Sequence, residues 1–272
     1  MTFAIDTSLS WTDHFVEYGF AVLKGLVDRE FCREALAEVR RVVDDDRPLN
    51  EWTLQKPGLK YTVFYPGQNP LLEQLYDQPR LRDALNELFG GKMTELVRHY
   101  YTLWLNPCNP DSRPTLKPLG HIDSGDLYRG LSFQISLVDT EPFSGNMTVF
   151  PGTHKLVQKA IIDNPELATA GGAFIGVKRP YEPYEFVAEV GDVLLVHHMA
   201  FHSGNPSHSA NRVPRVALRA EAFRPASIKA IDPSAPDLSP WERSCASNGY
   251  CELKGDPAPE MSAPSMGGAP GM

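Results

Sequence analysis

The chain has 272 residues, 42% of them hydrophobic, which is enough to bury a full core in one large domain or two small ones. This composition excludes disorder over most of its length, and a formal charge of -8 without a basic stripe argues against a nucleic-acid partner. Because no apolar stretch is long enough to cross a bilayer, we expect a cytoplasmic protein that does not insert into membranes. The sequence predicts no oligomeric state.

Helices are predicted to dominate the first third of the chain. Residues 11–18 form a short amphipathic stretch, and the apolar run that follows, residues 19–23, is typical of a buried strand. Asp28 can cap the next helix, in which apolar residues recur at helical spacing as far as Val42. A further helical segment is predicted over residues 71–88, interrupted near Pro79.

From residue 96 onward, short β-rich runs replace the helices. Strands at this spacing, mostly without helices between them, indicate an antiparallel sandwich or barrel rather than a parallel α/β sheet. The predicted strands span residues 97–105, 130–138, 147–150, 185–190, 193–198 and 216–223. We therefore expect one domain over residues 1–225 and a C-terminal extension over 226–272. Its end, from about residue 256, has the composition of a disordered segment.

His121 and Asp123 form the first candidate metal-binding pair. They follow a loop rich in proline and glycine and are expected at a strand edge, where alternate side chains share one face. An imidazole nitrogen and a carboxylate oxygen then point the same way, and a third ligand from elsewhere would complete one face of an octahedral cation. Alone, the His-x-Asp pattern is weak, because such a pair is more often a hydrogen-bonded surface pair.

Seven other histidines could supply the third ligand. His14, His99 and His154 occupy no obviously convergent position, and His208 lies in a polar turn. His202 follows the strand predicted at 193–198, and a jelly-roll brings such a late strand beside an early one, so His202 can complete the set. For His197 and His198 we expect packing or hydrogen bonding within the sheet.

Several motifs in order resemble the phytanoyl-CoA dioxygenase family of Fe(II)- and 2-oxoglutarate-dependent oxygenases. The likeness covers most of residues 11–223. It is carried by Phe15 to Gly25, His121-Ile-Asp123, Gln134 to Asp139, Ser144 to Lys155, Gly191-Asp192 leading to His202, and Pro214-Arg215. A set of motifs in this order is far more specific than any one of them.

The resemblance implies a double-stranded β-helix, or jelly-roll, with a mainly β core and flanking helices. It implies Fe(II) held by His121, Asp123 and His202, with O2 and 2-oxoglutarate as the other reactants. Arg215 would grip the far carboxylate of 2-oxoglutarate, since the planar guanidinium suits a bidentate carboxylate contact. The stretch between His202 and the arginine is slightly longer than usual, so Arg212 remains a rival. Gln134 occupies a position that often contacts the cosubstrate.

The function that follows from the resemblance is oxidation of an unactivated C–H bond of a small molecule, by hydroxylation or desaturation. The substrate could be a natural product or another specialised metabolite, and family membership does not make it phytanoyl-CoA. A carboxylate at position 123 favours an oxygenase over a halogenase, in which a small residue replaces it. Two alternatives stay open: a cupin-type metalloenzyme that does not use 2-oxoglutarate, and a binding sandwich without catalysis.

Overall fold

The computed structural model describes ten stretches of the chain. They are residues 5–43, 61–64, 67–91, 101–106, 120–123, 130–164, 166–167, 180–205, 215–222 and 234–246. The end of the predicted C-terminal extension, residues 256–272, lies outside this part.

Helix α1 (Trp11–Tyr18) leads directly into strand β1 (Phe20–Leu23). The Ser10 hydroxyl caps the helix by accepting from the backbone N–H of Asp13, and Gly19 ends it in the left-handed conformation, φ 77°. A Cβ at Gly19 would lie 2.4 Å from Nδ1 of His154, so this glycine satisfies both the turn and the close packing beneath it.

The helical segments predicted in the first third are confirmed. Helix α2 (Arg29–Val43) begins after Asp28, whose carboxylate accepts from the N–H of Glu30 at 2.7 Å. Helix α3 (Pro70–Glu73), a short 3-10 helix (Gln74–Asp77) and helix α4 (Pro79–Leu88) follow one another, with the interruption at the predicted proline. Their apolar faces belong to one buried core.

Strand β1 and the remaining strands form two antiparallel sheets. A six-stranded sheet has the order β1-β7-β4-β9-β3-β2, and a three-stranded sheet has the order β6-β5-β8. The bounds of the strands after β1 are β2 Tyr61–Phe64, β3 Tyr101–Asn106, β4 Leu131–Ser136, β5 Met147–Val149, β6 Tyr184–Glu185, β7 Val193–His197, β8 His202–Gly204 and β9 Arg215–Ala222. Together with the flanking helices, these sheets confirm the predicted jelly-roll fold, as two sheets rather than one closed barrel in the described residues.

The two faces of the six-stranded sheet have different neighbours. Leu131, Phe133 and Ile135 of β4 share a core cluster with the apolar side chains of the helices. The alternate residues, Ser132 and Gln134, therefore lie on the inner face, towards the smaller sheet. Contacts between the sheets include Met147 and Val149 of β5, which cluster with Leu194 and Val196 of β7. This inner face is where a polar site can form.

Several elements differ from the sequence prediction. Helix α5 (Thr153–Asp163) was not predicted; it starts after Gly152, with buried Val157 and Ile161 on one side. The strand predicted at 185–190 is only the two-residue β6. Strand β8 was not predicted, since three residues are too few to show an alternating pattern.

A last helix, α6 (Pro240–Ala246), lies within the segment expected to be an extension. Trp241 is completely buried and belongs to the same core cluster as α2 and α4. Ser239 and Glu242 form a capping box: the N–H of Ser239 donates to the Glu242 carboxylate at 2.9 Å, and the N–H of Glu242 donates to the Ser239 hydroxyl at 3.2 Å. In the described residues, every helix is too short or too polar to cross a membrane.

Candidate metal centre

A backbone bridge brings His121 and His202 together. The N–H of His121 donates to the carbonyl of His202 at 2.9 Å, and the N–H of His202 donates to the carbonyl of His121 at 3.0 Å. Their ring centroids lie 4.5 Å apart. The predicted meeting of an early and a late segment therefore occurs, although His121 forms an isolated bridge instead of standing in a strand.

Asp123 completes the cluster from the bend that follows this bridge. Its backbone N–H donates to the carbonyl of His198 at 3.1 Å, which ties the bend to the end of β7. One ligand atom from each of His121, Asp123 and His202 lies within 4.8 Å of the others. In the described part of the chain, this is the one group of His, Cys, Asp or Glu side chains arranged so that they could hold a metal ion.

The hydrogen bond of His202 to the backbone leaves its other ring nitrogen available to a cation. Its Nδ1 lies 3.0 Å from the carbonyl oxygen of Ala200, so in the neutral ring Nδ1 carries the proton and Nε2 carries a lone pair. Nε2 lies 3.3 Å from Oδ1 of Asp123. In the metal-free cluster a protonated Nε2 can pair with this oxygen, and in the neutral ring the Nε2 lone pair and the carboxylate can instead bind one metal ion. Two histidines and one carboxylate are also the ligand set of non-haem iron oxygenases.

The Asp123 carboxylate is surrounded by donors on the inner face of the large sheet. Its Oδ2 accepts from the hydroxyl of Ser132 at 3.0 Å and forms an ion pair with Arg219. Burial alone would raise the pKa of this carboxyl, but the Arg219 guanidinium and the His202 ring lower it by more, so the pKa lies well below its usual value. The group is ionised and ready to bind a cation.

Gln134 lies two residues beyond Ser132 on β4, opposite Arg219 of β9 in the strand register. It is buried, and its Oε1 has no hydrogen-bond partner in the described residues. A buried amide without its full set of partners is unfavourable unless a ligand or water supplies one. This position suits a contact to a bound molecule beside the metal.

Arg215 is the first residue of β9, four residues before Arg219 on the same strand. Its backbone stands opposite Asn106 of β3. Arg212, the rival for the cosubstrate carboxylate, lies outside the described residues. So do His99 and His208.

The other described histidines have partners away from the metal centre. Nδ1 of His14 lies 2.9 Å from the carbonyl oxygen of Phe20, and Nδ1 of His198 lies 2.9 Å from that of Gly130. His154 and His197 are completely buried, and their ring centroids lie 5.2 Å apart. Burial lowers the pKa of His154 to about 3 and holds that of His197 well below its usual value, so both rings are neutral.

Sequence reasoning missed Ser132 and Arg219. Each stands two or four residues from a predicted cosubstrate contact on the same strand, Ser132 before Gln134 and Arg219 after Arg215. The alternation of side chains along a strand was the signal that could have found them. The alternation alone does not give the register of β4 against β9, so it did not show which of these polar residues lies next to Asp123.

Solved structures with the same fold include several with a bound metal ion. The epimerase SnoN in complex with Fe3+, alpha ketoglutarate and nogalamycin RO is 21% identical over 78% of this chain and 82% of its own, with a TM-score of 0.55. The non-heme monooxygenase ThoJ, as a nickel complex, is 16% identical over 79% of this chain and 78% of its own, with a TM-score of 0.53.

HygX from Streptomyces hygroscopicus, with nickel and 2-oxoglutarate bound, is 14% identical. The alignment covers 79% of this chain and 86% of HygX, with a TM-score of 0.50. No curated protein sequence matches this chain.

The sequence itself matches one protein family. The match is to the phytanoyl-CoA dioxygenase (PhyH) family and spans residues 15–217, which includes every strand from β1 to the start of β9. It agrees with the resemblance found from the motifs and with the two-histidine, one-carboxylate cluster. The chain belongs to the phytanoyl-CoA dioxygenase family of Fe(II)- and 2-oxoglutarate-dependent oxygenases.

Proposed function

We propose that this chain is a non-haem Fe(II)- and 2-oxoglutarate-dependent dioxygenase that oxidises an unactivated C–H bond of a small molecule. The observation that carries the proposal is the cluster of His121, Asp123 and His202, in which a histidine Nε2 faces a carboxylate oxygen at 3.3 Å. Three ligands on one side of an octahedral cation leave the other side for a chelating cosubstrate and O2.

Each ligand has a distinct support in the fold. The backbone bridge fixes His121 beside His202, and the Ala200 carbonyl sets the ring of His202 with Nε2 towards the cation. The hydrogen bond from the N–H of Asp123 to the His198 carbonyl holds the bend that carries the carboxylate close to both histidines. Such support reduces the reorganisation needed when the metal binds.

When iron, 2-oxoglutarate and O2 are bound, oxidative decarboxylation of 2-oxoglutarate supplies the oxidising power for the substrate C–H bond. The protein binds these reactants, orients them and excludes water. We assign the far carboxylate of 2-oxoglutarate to Arg215. Arg215 is the first residue of β9, the strand that carries Arg219 and pairs with β4, the strand of Gln134.

We assign a second cosubstrate contact to Gln134. An amide supplies both a donor and an acceptor, so its NH2 group can donate to a carboxylate oxygen. Its burial on the inner face and the missing partner of Oε1 support this role.

Succinate formation tests the proposed function. Purified protein is incubated with Fe(II), 2-oxoglutarate and O2, and succinate is measured while a panel of small molecules is screened. The panel should contain natural products and other specialised metabolites. A compound that increases succinate and is itself converted identifies the substrate class, and mass analysis of its product separates hydroxylation from desaturation.

Two arginine variants separate this function from a metalloenzyme that uses no 2-oxoglutarate. Arg215→Ala should raise the KM for 2-oxoglutarate by about tenfold or more, because it removes a charged hydrogen-bonding partner. Arg212→Ala is the matched control and should leave this KM nearly unchanged. The reverse result would assign the carboxylate to Arg212, whereas indifference of both variants would contradict a 2-oxoglutarate enzyme.

A further inference from the structure

Arg219 places a buried positive charge directly beside the metal cluster. Its guanidinium pairs with Oδ2 of Asp123, and the two side chains are only 11% and 8% exposed. Cations are rarely buried next to a site that binds another cation, because the two charges repel strongly in a medium of low polarity. The burial of Arg219 beside the cluster therefore needs a physical explanation that the metal ligands alone do not provide.

The two oxygens of Asp123 have different surroundings. Oδ2 accepts from Ser132 at 3.0 Å and pairs with Arg219, whereas Oδ1 faces Nε2 of His202 at 3.3 Å. The donors on Oδ2 thus leave Oδ1 for the cation, and they favour a carboxylate that coordinates through one oxygen.

Ser132 and Arg219 stand on β4 and β9, two paired central strands of the six-stranded sheet. Donors on such strands hold a carboxylate more firmly than donors on loops. The six-stranded sheet thus fixes the orientation of the Asp123 carboxylate.

The ion pair with Arg219 also changes the net charge of the metal site. The negative charge of Asp123 is offset by the positive charge of Arg219, and both histidine ligands bind metals as neutral rings. A divalent cation in this site keeps most of its positive charge. A dianion such as 2-oxoglutarate is then attracted more strongly than it would be to a site in which Asp123 had no cationic partner.

We propose that Arg219 is a positioning residue for the metal centre, which holds Asp123 by Oδ2 and offsets its charge so that the metal attracts the anionic cosubstrate. This inference rests on the proposed function, because it takes the cluster to be a metal site that receives 2-oxoglutarate. Arg219 acts through Asp123 and is distinct from Arg215, to which the far carboxylate is assigned.

A double-mutant cycle in metal-free protein tests the link between Arg219 and Asp123. Arg219→Gln, Asp123→Asn and the double variant are unfolded with urea in the presence of a chelator. In the wild-type background, Arg219→Gln should increase the equilibrium constant of unfolding about tenfold or more, since it leaves a buried carboxylate without its cation. In the Asp123→Asn background its effect should be small. Equal effects in both backgrounds would overturn the proposed link.

Binding of Mn(II) and then of 2-oxoglutarate tests the role in the assembled site. Wild type, Arg219→Gln, Arg219→Lys and Ser132→Ala are compared by calorimetry. Arg243→Gln is the matched control, since Arg243 makes an exposed ion pair with Asp13 at 3.0 Å. Calorimetry also measures binding without turnover, so no substrate is needed.

Arg219→Gln should bind 2-oxoglutarate about tenfold more weakly or worse, while its affinity for Mn(II) stays within a few-fold of wild type because a repelling cation is also removed. Arg219→Lys, which keeps the charge, should restore most of the loss. Ser132→Ala, which removes a neutral donor, should change 2-oxoglutarate binding much less.

Unchanged binding of 2-oxoglutarate by Arg219→Gln would overturn the inference, and so would equal losses of Mn(II) and 2-oxoglutarate affinity, which indicate a purely structural role. Failure of wild type to bind Mn(II) contradicts the proposed function itself. The two failures are therefore distinguishable.

Discussion

Individual residues determine whether the metal ligands can meet. Gly120 precedes His121, and a Cβ at this position would lie 2.8 Å from the carbonyl oxygen of His202 and 3.0 Å from the ring of Phe150. The first neighbour is backbone, which cannot rotate away. The absence of a side chain at Gly120 therefore allows the bridge between His121 and His202 to close.

Gly120→Ala should open this bridge and weaken metal binding by about tenfold or more, because the two histidines lose their shared orientation. Metal titration with Mn(II) measures the loss. Gly91→Ala is the control: it strains a residue at φ 69° but has open space around its Cβ, so it should leave metal binding unchanged. Wild-type affinity in Gly120→Ala would show that the bridge does not position the ligands.

Gln134 offers a second test at the scale of one side chain. Gln134→Leu removes a buried amide whose Oε1 lacks a partner, so the free energy of unfolding should stay the same or rise slightly. The KM for 2-oxoglutarate should increase by about three- to tenfold, the worth of one hydrogen bond. Urea unfolding and steady-state kinetics measure the two effects. A large loss of stability with an unchanged KM would make Gln134 a structural residue.

At the scale of elements, helix α6 is joined to the metal motif through one carbonyl group. The Gly130 carbonyl accepts from Nε1 of Trp241 at 3.1 Å and lies 2.9 Å from Nδ1 of His198. The carbonyl of His198 in turn accepts from the N–H of Asp123. A helix late in the chain thus supports the bend that carries the carboxylate ligand.

Trp241→Ala should lower the free energy of unfolding by about 3–5 kcal/mol, as expected for removing a fully buried indole. Trp241→Phe keeps most of the apolar volume but loses the hydrogen bond to Gly130, so it should cost about 1–2 kcal/mol and weaken metal binding only modestly. Thermal and urea unfolding with and without Mn(II) measure both. If Trp241→Ala were as stable as wild type, α6 would not be part of the folded core.

The whole molecule has buried neutral histidines that make its stability sensitive to acid. The pKa of His154 falls to about 3 in the folded state and that of His197 is also strongly lowered, while both rise to near 6.5 on unfolding. The unfolded chain therefore binds more protons below pH 6.5, and stability must decrease as the pH falls from there towards 3.

Each such histidine contributes a slope of about 1.4 kcal/mol per pH unit in this range. The free energy of unfolding, measured by urea at a series of pH values, should decline accordingly, and His154→Asn should reduce the slope even if it lowers stability at neutral pH. An unchanged slope in this variant would mean that His154 is not buried as a neutral ring.

The sequence predicted the parts of the fold that local patterns encode. The helices of the first third and the longer strands show clear periodicity, and the order of motifs identified the family and three candidate ligands that the structure brings together, His121, Asp123 and His202. Helix α5 was missed because Gly152 and Thr153 resemble a turn, and no side chain caps the helix. Arg219 and the contacts of α6 depend on pairing between distant segments, which no local pattern contains.

The central claim is that His121, Asp123 and His202 hold one metal ion. Anaerobic calorimetric titration of Fe(II) into wild type, His202→Ala and the control His14→Gln tests it most directly. His14 lies against Phe20, away from the cluster, so its replacement should not affect the metal. We predict one Fe(II) bound per chain in wild type and in the control, and none at the same concentrations in His202→Ala. Equal binding by His202→Ala, or no binding by wild type, would contradict the metal centre and the chemistry assigned to it.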